Sequence, residues 1–272
     1  MKKKVLLLAN VKAGTGTGRS RMAEIIETLA NSDCEVTVYP LDPGRNLVSE
    51  NVLENKLVDP DFIMCCGGDG TLNHLINVMK KLDIEKPICY YPTGSANDFA
   101  RNIYGNDISV ARVCDALTSG RPFPYDIGRF NDNYFNYVAA FGAFTRVSYA
   151  TPVNMKNSLG YLAYVLNVLG DLPDSLNYRV RMKVECDGQL IEGEYIVGAI
   201  SNSRSIGGMQ PLLLSDAALD DGLMELILIS APNNIIDTSN IVNNLLSGNV
   251  DGQYITVIKG SHVVIDSEKT VA

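Results

Sequence analysis

The sequence predicts an α/β domain with a mainly parallel sheet, followed by a mainly antiparallel β domain. Three observations carry that expectation. In the first half, short apolar runs alternate with stretches whose apolar residues recur every three to four positions. In the second half, Tyr178, Val180, Met182, Val184 and Cys186 alternate with Arg179, Arg181, Lys183 and Glu185, the period of a half-buried strand. Between the halves Gly120, Pro122 and Pro124 cluster, which sets a boundary near 120–126 and domains at 1–125 and 126–272.

Val5–Ala9 reads as the first strand, and Met22, Ile25, Ile26 and Leu29 mark one face of a helix after it. Glu35–Tyr39 and Asp61–Cys66 are the next strands. Leu72, Leu75, Ile76 and Met79 form a second helical face, and Pro87–Tyr91 is a fourth strand, with helices expected from Asn97 and across Val110–Leu117. Strand–helix alternation implies right-handed crossovers and a parallel sheet. Beyond the boundary, Asp187-Gly188 signals a hairpin and Glu194–Ile200 its returning strand. Leu223–Ile229, Tyr254–Ile258 and His262–Ile265 are further strands, with helices at Leu159–Leu169 and near Ile235–Leu246. There is no internal repeat.

Composition narrows the function. The 272 residues are 46% hydrophobic and 20% charged, an ordinary globular balance. With 23 basic and 31 acidic residues the net charge is −8, which argues against nucleic acid as a partner. A small phosphorylated ligand, or a local basic patch such as Lys2–Lys4 with Arg19 and Arg21 against a membrane, needs only a few cations. The six cysteines form no C-x-x-C pair and are expected as reduced thiols. Val5–Ala9 is too short for a signal segment, and Leu159–Gly170 is too short to span a bilayer. The expected location is cytoplasmic, peripheral at the inner face of the membrane.

Three glycine-rich loops follow predicted strands: Asn10–Gly18, Gly67–Thr71 and Pro92–Asp98. Open α/β sheets bind ligands at such carboxyl ends. Glycine lets backbone N–H groups approach phosphate oxygens, and a helix N-terminus adds partial positive charge. Lys12 can neutralise a phosphate; Asp69 and Asp98 can hold Mg²⁺, and Asp69, after a diglycine, reaches a metal and little else. Each loop alone is equally a tight turn with a helix cap. Three on one sheet point to a nucleotide site. The Walker A and dinucleotide fingerprints both fail at Arg19, and neither kinase-fold signatures, a zinc-ligand spacing nor a G-x-S-x-G elbow occurs.

At Gly67-Gly68-Asp69-Gly70-Thr71 the sequence resembles the superfamily of diacylglycerol, sphingosine and NAD kinases and, loosely, phosphofructokinases. Pro92-Thr93-Gly94-Ser95-Ala96-Asn97-Asp98-Phe99-Ala100-Arg101 is similar to the signature of the lipid-kinase branch. The resemblance runs through Asn10-x-Lys12-x-Gly14, Asp126-Ile127-Gly128, Lys156–Tyr164, Ser201-Asn202-Ser203 with Gly207-Gly208, and Asp220-Asp221-Gly222-Leu223, so that it covers the whole chain.

That resemblance implies an N-terminal nucleotide-binding kinase domain of the NAD kinase/phosphofructokinase type and a C-terminal β-sandwich for the lipid. It implies ATP contacts at Asn10, Val11, Lys12, Ala13 and Gly14, at Gly67, Gly68, Asp69, Gly70, Thr71, Leu72 and Asn73, and at Ser95. Asp69, Asp98, Asp126 and Lys12 take the catalytic roles, with Asp221 completing the acidic set; Mg²⁺ would use the Asp221 carboxylate and the carbonyls of Ala218 and Leu223. The implied partners are a lipid alcohol, a transient membrane surface and, as an option left open, a second copy of the chain. Val11 replaces the family's proline, His74 its glutamate (a helix-surface residue on our reading), and Tyr39-Pro40-Leu41 lacks its threonine. The family's W-x-x-D-G-E segment, whose glutamate is the general base, has no match before Ala272. The expected function is phosphoryl transfer from MgATP to a lipid hydroxyl; an NAD kinase-like small-molecule kinase and a catalytically dead ATP-binding regulator are the alternatives.

Overall fold

The structure is a computed structural model that describes residues 2–13, 17–55, 59–94, 97–105, 107–142, 179–204, 214 and 217–268. Gly14, Ser95, Gly207-Gly208 and the helix expected at Leu159–Leu169 lie outside them. The chain divides into two compact units, Met1–Phe123 with Asn131–Phe135, and Pro124–Phe130 with Asn136–Ala272.

Unit 1 runs β1 (Lys3–Asn10), α1 (Thr17–Asn31), β2 (Cys34–Leu41), α2 (Ser49–Glu54), β3 (Phe62–Gly67), α3 (Asp69–Lys81), β4 (Ile88–Pro92), α4 (Asp98–Tyr104) and α5 (Val110–Thr118). The four strands are parallel in the order β2-β1-β3-β4. Val5–Leu8 and Ile63–Cys66 are buried on both faces, which is why they read as unbroken apolar runs. On one face Val5, Leu7, Met64 and Cys66 pack with Ile25 and Leu29 of α1 and Val113 and Leu117 of α5. The pairs Asn10↔Leu41, Ala9↔Cys66 and Gly67↔Pro92 bring all four carboxyl ends to one edge, and the glycine loops with them. All six cysteines are free and buried; burial pushes the Cys65 and Cys89 thiols up to about 12, so they behave as small apolar groups.

The chain leaves unit 1 after Phe123, forms β5 (Gly128–Phe130) in the second unit, and returns to the first as β6 (Asn133–Phe135). There the Asn77 amide on α3 stands in for a strand partner. Its Nδ2 donates to the Tyr134 carbonyl and its Oδ1 accepts from the Tyr134 N–H, each at 2.8 Å.

Unit 2 then runs β7 (Val138–Gly142), β8 (Val180–Cys186), β9 (Gln189–Ser201), β10 (Met224–Ser230), α6 (Ile235–Ser247), β11 (Ile255–Gly260) and β12 (Val263–Ser267). The antiparallel order is β11-β10-β9-β8-β12. β9 is long enough to serve two strands on one edge: β8 along Gln189–Tyr195 and β7 along Val197–Ser201. The β8–β9 hairpin turns at Asp187 (φ 47°) and Gly188 (φ 87°), as the Asp-Gly pair predicts. The Asp187 carboxylate accepts from Ser261 N–H at 2.8 Å and His262 N–H at 2.9 Å, tying that hairpin to the β11–β12 turn. The alternating residues Val180, Met182, Val184 and Cys186 point into a core shared with Leu226, Leu228 and Phe141. A second core forms where Ile241 and Leu245 of α6 cover Ile196, Val197, Ile229 and Ile255.

Candidate functional site

At the end of β1, the Asn10 amide donates to Thr71 Oγ1 (3.0 Å) in the first turn of α3, while its Oδ1 accepts from the Lys12 N–H (3.2 Å). The Lys12 ammonium pairs with Asp42 Oδ1 at 2.8 Å, and Arg45 lies 3.6 Å from the other oxygen. The hydrogen bond from Lys12 holds the Asp42 carboxyl below the usual aspartate range. Lys12 therefore arrives at the sheet edge already partnered by a carboxylate. Its side chain is still 65% exposed, leaving the ammonium open to a second anion. Asp42 itself went unread. It sits beyond an unremarkable strand, and the parallel register alone brings it opposite the Lys12 loop.

The second and third loops are locked backbone to backbone. Thr93 N–H donates to the Gly67 carbonyl (2.8 Å), and a Cβ on Gly94 would sit 2.7 Å from Gly68 Cα. Asn97 adopts a left-handed φ of 55° and donates from Nδ2 to the Gly94 carbonyl. Asp69 departs from its expected role as a free loop carboxylate. Its oxygens accept from the N–H groups of Asp98 (3.3 Å) and Phe99 (3.4 Å) at the start of α4, and from the Tyr90 hydroxyl (3.4 Å), which also donates to the Gly67 carbonyl. Burial, and then the neighbouring Asp98, push the Asp69 carboxyl up. Asp98 is buried, with Arg101 3.9 Å away. Two carboxylates that repel one another across adjoining loops are a charge arrangement that a cation relieves.

Two further observations fit a phosphate-bearing ligand. Gly70 stands in α3 with no left-handed φ, and a Cβ added to it would meet nothing within 4 Å among the described residues. Buried polar atoms without partners collect at the same loops: Asn73 Oδ1, Thr93 Oγ1 and Asn97 Oδ1. Val11, Ala13 and Leu72 contribute backbone positions around them; Ala13 N–H donates to the Asn10 carbonyl, and Leu72 N–H to that of Gly68. His74 is exposed on α3 and meets Glu50 of α2 at 3.1 Å, away from the buried carboxylates.

The remaining site residues gather in unit 2. Asp126 Oδ2 accepts from the Gly222 N–H at 2.6 Å, its own N–H donates to the Leu219 carbonyl (2.8 Å), and its carbonyl accepts from Asn202 Nδ2 (2.7 Å). Asp126 thus acts as a strut under the late loop. Asp221 is exposed, and its Oδ1 accepts from the Leu223 N–H at 3.0 Å around Gly222 (φ 75°), a tight Asx turn that brings Asp221 and Leu223 together. Ala218 is half-buried beside them in sequence. Among the described residues, no three His, Cys, Asp or Glu side chains cluster as a ready metal cage, so a cation here would depend on backbone carbonyls and water. Glu225, which sequence reasoning passed over, is buried in β10 against Lys259 (3.4 Å) with Oε2 unpartnered. Its acidic character was hidden within an apolar strand.

Residues 4–130 match the model of the diacylglycerol kinase catalytic domain. The chain is 28% identical over 269 residues to a diacylglycerol kinase of Bacillus subtilis (strain 168), covering 98% of this chain and 87% of that protein. It is 29% identical over 235 residues to one from Staphylococcus carnosus (strain TM300), covering 86% and 74%. A crystal structure of a diacylglycerol kinase from Bacillus anthracis str. Sterne overlays with a TM-score of 0.76 at 21% identity, covering 99% of this chain and 88% of that one. That last likeness is one of fold: a parallel α/β domain joined to an antiparallel β domain.

Proposed function

We propose that the chain, whose residues 4–130 match the diacylglycerol kinase catalytic domain, transfers the γ-phosphoryl group of ATP to the hydroxyl of a lipid such as diacylglycerol. The observation that carries the phosphate site is Gly70, a glycine without a left-handed φ whose missing side chain leaves open space among the described residues. Its N–H, at the start of α3, would face the phosphates, where helix N-termini favour anions.

Phosphoryl transfer depends on positioning and charge neutralisation more than on covalent help. Lys12 contributes positive charge from the β1 loop. Asn10 and Thr71, hydrogen-bonded to each other, hold that loop against α3. Asp69 keeps the second and third loops in register through the α4 N–H groups and, with Asp98, supplies the negative charge that would hold Mg²⁺. That ion would neutralise charge on the transferring phosphate. In unit 2, the Asp221 carboxylate and the carbonyls of Ala218 and Leu223 suit a second, structural cation on the late loop. We assign residues 1–125 to the nucleotide and 126–272 to the lipid.

The decisive experiment supplies labelled ATP with Mg²⁺ and, separately, diacylglycerol vesicles and NAD. Labelled phosphatidic acid is the expected product. Label transferred to NAD, or to neither acceptor, would refute the reading.

A further inference from the structure

We propose that the exposed isoleucine pair at the start of α6, Ile235 and Ile236, inserts into the lipid surface that presents the acceptor; the inference rests on the lipid-kinase reading above. Ile235 is 82% exposed and Ile236 67%, against at most 54% for any other exposed large apolar side chain among the described residues. Single exposed apolar residues are ordinary on a protein surface, whereas contiguous ones mark contact sites.

The pair is held out rigidly. Asn234 Oδ1 caps the helix by accepting from the N–H groups of Ile236 and Asp237, both at 2.9 Å. Asp237 Oδ2 accepts from the N–H of Asn233, the residue before the cap, at 2.9 Å, which ties the incoming chain to the first turn. Arg179 donates to Asn233 Oδ1 at 3.1 Å and to the Pro232 carbonyl, fixing the approach to the helix. The tip is thus organised, with its two largest apolar groups left in water.

Charge and size select the occupant. In a chain of net charge −8, residues 230–250 carry one charged side chain, Asp237. Its second oxygen accepts from the Tyr254 hydroxyl at 3.0 Å, so the carboxylate is turned back onto the protein. An anionic bilayer repels a protein of that net charge, and this uncharged, Asn- and Ser-rich segment can approach it. Ile241 and Leu245 of α6 are buried against the sheet, and among the described residues of α6 the large apolar side chains left exposed are the two at its tip. A stable protein partner needs about 1,000 Å² of interface or more, and two side chains fall well short. Shallow insertion among headgroups requires no more than this.

No tryptophan occurs in the chain, so Ile235→Trp makes a single fluorescent reporter. On addition of phosphatidylcholine vesicles containing diacylglycerol, its emission should shift to the blue and become shielded from iodide. In flotation assays the Ile235→Ser/Ile236→Ser double variant should bind those vesicles roughly a hundredfold more weakly, about tenfold per isoleucine, and the parent's binding should persist at high salt. Unshifted emission, undiminished binding by the double variant, or binding abolished by salt would overturn the proposal, the last pointing to the basic residues near the N-terminus instead. A monomeric short-chain diacylglycerol in solution separates the two ideas. Its phosphorylation by parent and double variant alike supports the lipid-kinase reading whatever the vesicles show, and its failure to react with the parent counts against that reading alone.

Discussion

Replacing Gly70 with alanine should make the protein more stable and a poorer kinase. Glycine inside a helix costs roughly 0.5–1 kcal/mol relative to alanine through backbone entropy. Gly70 lies in α3, its φ is not left-handed, and an added methyl meets nothing within 4 Å among the described residues. No packing penalty opposes the entropy gain, so the melting temperature should rise by about 1–4 °C. The same methyl would stand where a phosphate oxygen approaches the helix start. Losing one charge-assisted hydrogen bond there is worth about 1.5–3 kcal/mol, or roughly ten- to a hundredfold in MgATP affinity. Differential scanning fluorimetry without ligand and isothermal titration with MgATP read the two effects separately. A stabilised variant that binds MgATP as the parent does would refute the reasoning, because the space above Gly70 would then have no occupant.

Gly94→Ala should do the reverse, destabilising by about 1–3 kcal/mol, because its Cβ meets Gly68 Cα, a backbone atom with little room to move; chemical denaturation reads this, and an unchanged midpoint counts against the locked loops. Asp69→Asn should lower phosphoryl transfer at least a hundredfold while changing stability by less than about 1 kcal/mol, since relief from burial and from Asp98 offsets the weakened acceptor; turnover near that of the parent would remove Asp69 from the site. Asp187 is held below its ordinary value of 3.8 chiefly by the Ser261 N–H, with His262 adding to it. Its folded pKa lies below its unfolded one, so its contribution is present above about pH 4 and disappears as pH falls through the folded value. Asp187→Asn should lower stability at neutral pH and flatten the acid limb below about pH 4, so that the difference from the parent closes as pH falls; thermal melts across pH read this, and a difference that does not depend on pH would refute it.

Regular elements were legible where one physical signal dominated. The two central parallel strands, β1 and β3, are buried on both faces and read as apolar runs, and β8 faces core on one side and water on the other, so it alternates. Elements with a weak signal went unread. α2 is six residues long and buries only Val52 and Leu53 among its apolar groups. β7 is Val-Ala-Ala-Phe-Gly, too small in its side chains to show a period, and its Phe141 fits only because Gly198 opposite has no side chain. The loops of the site were legible because glycine and aspartate are costly unless a turn or ligand needs them. Their partners were not: Asp42 meets Lys12 through strand register, and Tyr90 reaches Asp69 from within an apolar strand. Such pairings belong to the three-dimensional arrangement and leave no local mark.

The shared edge of β9 has a consequence for how this chain could be rearranged. β7 ends with Gly142 opposite Val197, and β8 begins with Val180 opposite Tyr195. Two residues along a strand span about 7 Å, so β7 ends and β8 begins at almost the same point on β9. Geometrically, β7 and β8 are one interrupted strand. A short linker bridging Gly142 to Val180 should leave the ladder on β9 intact, and the same seam offers a site for grafting a foreign module without disturbing the sheet that carries it.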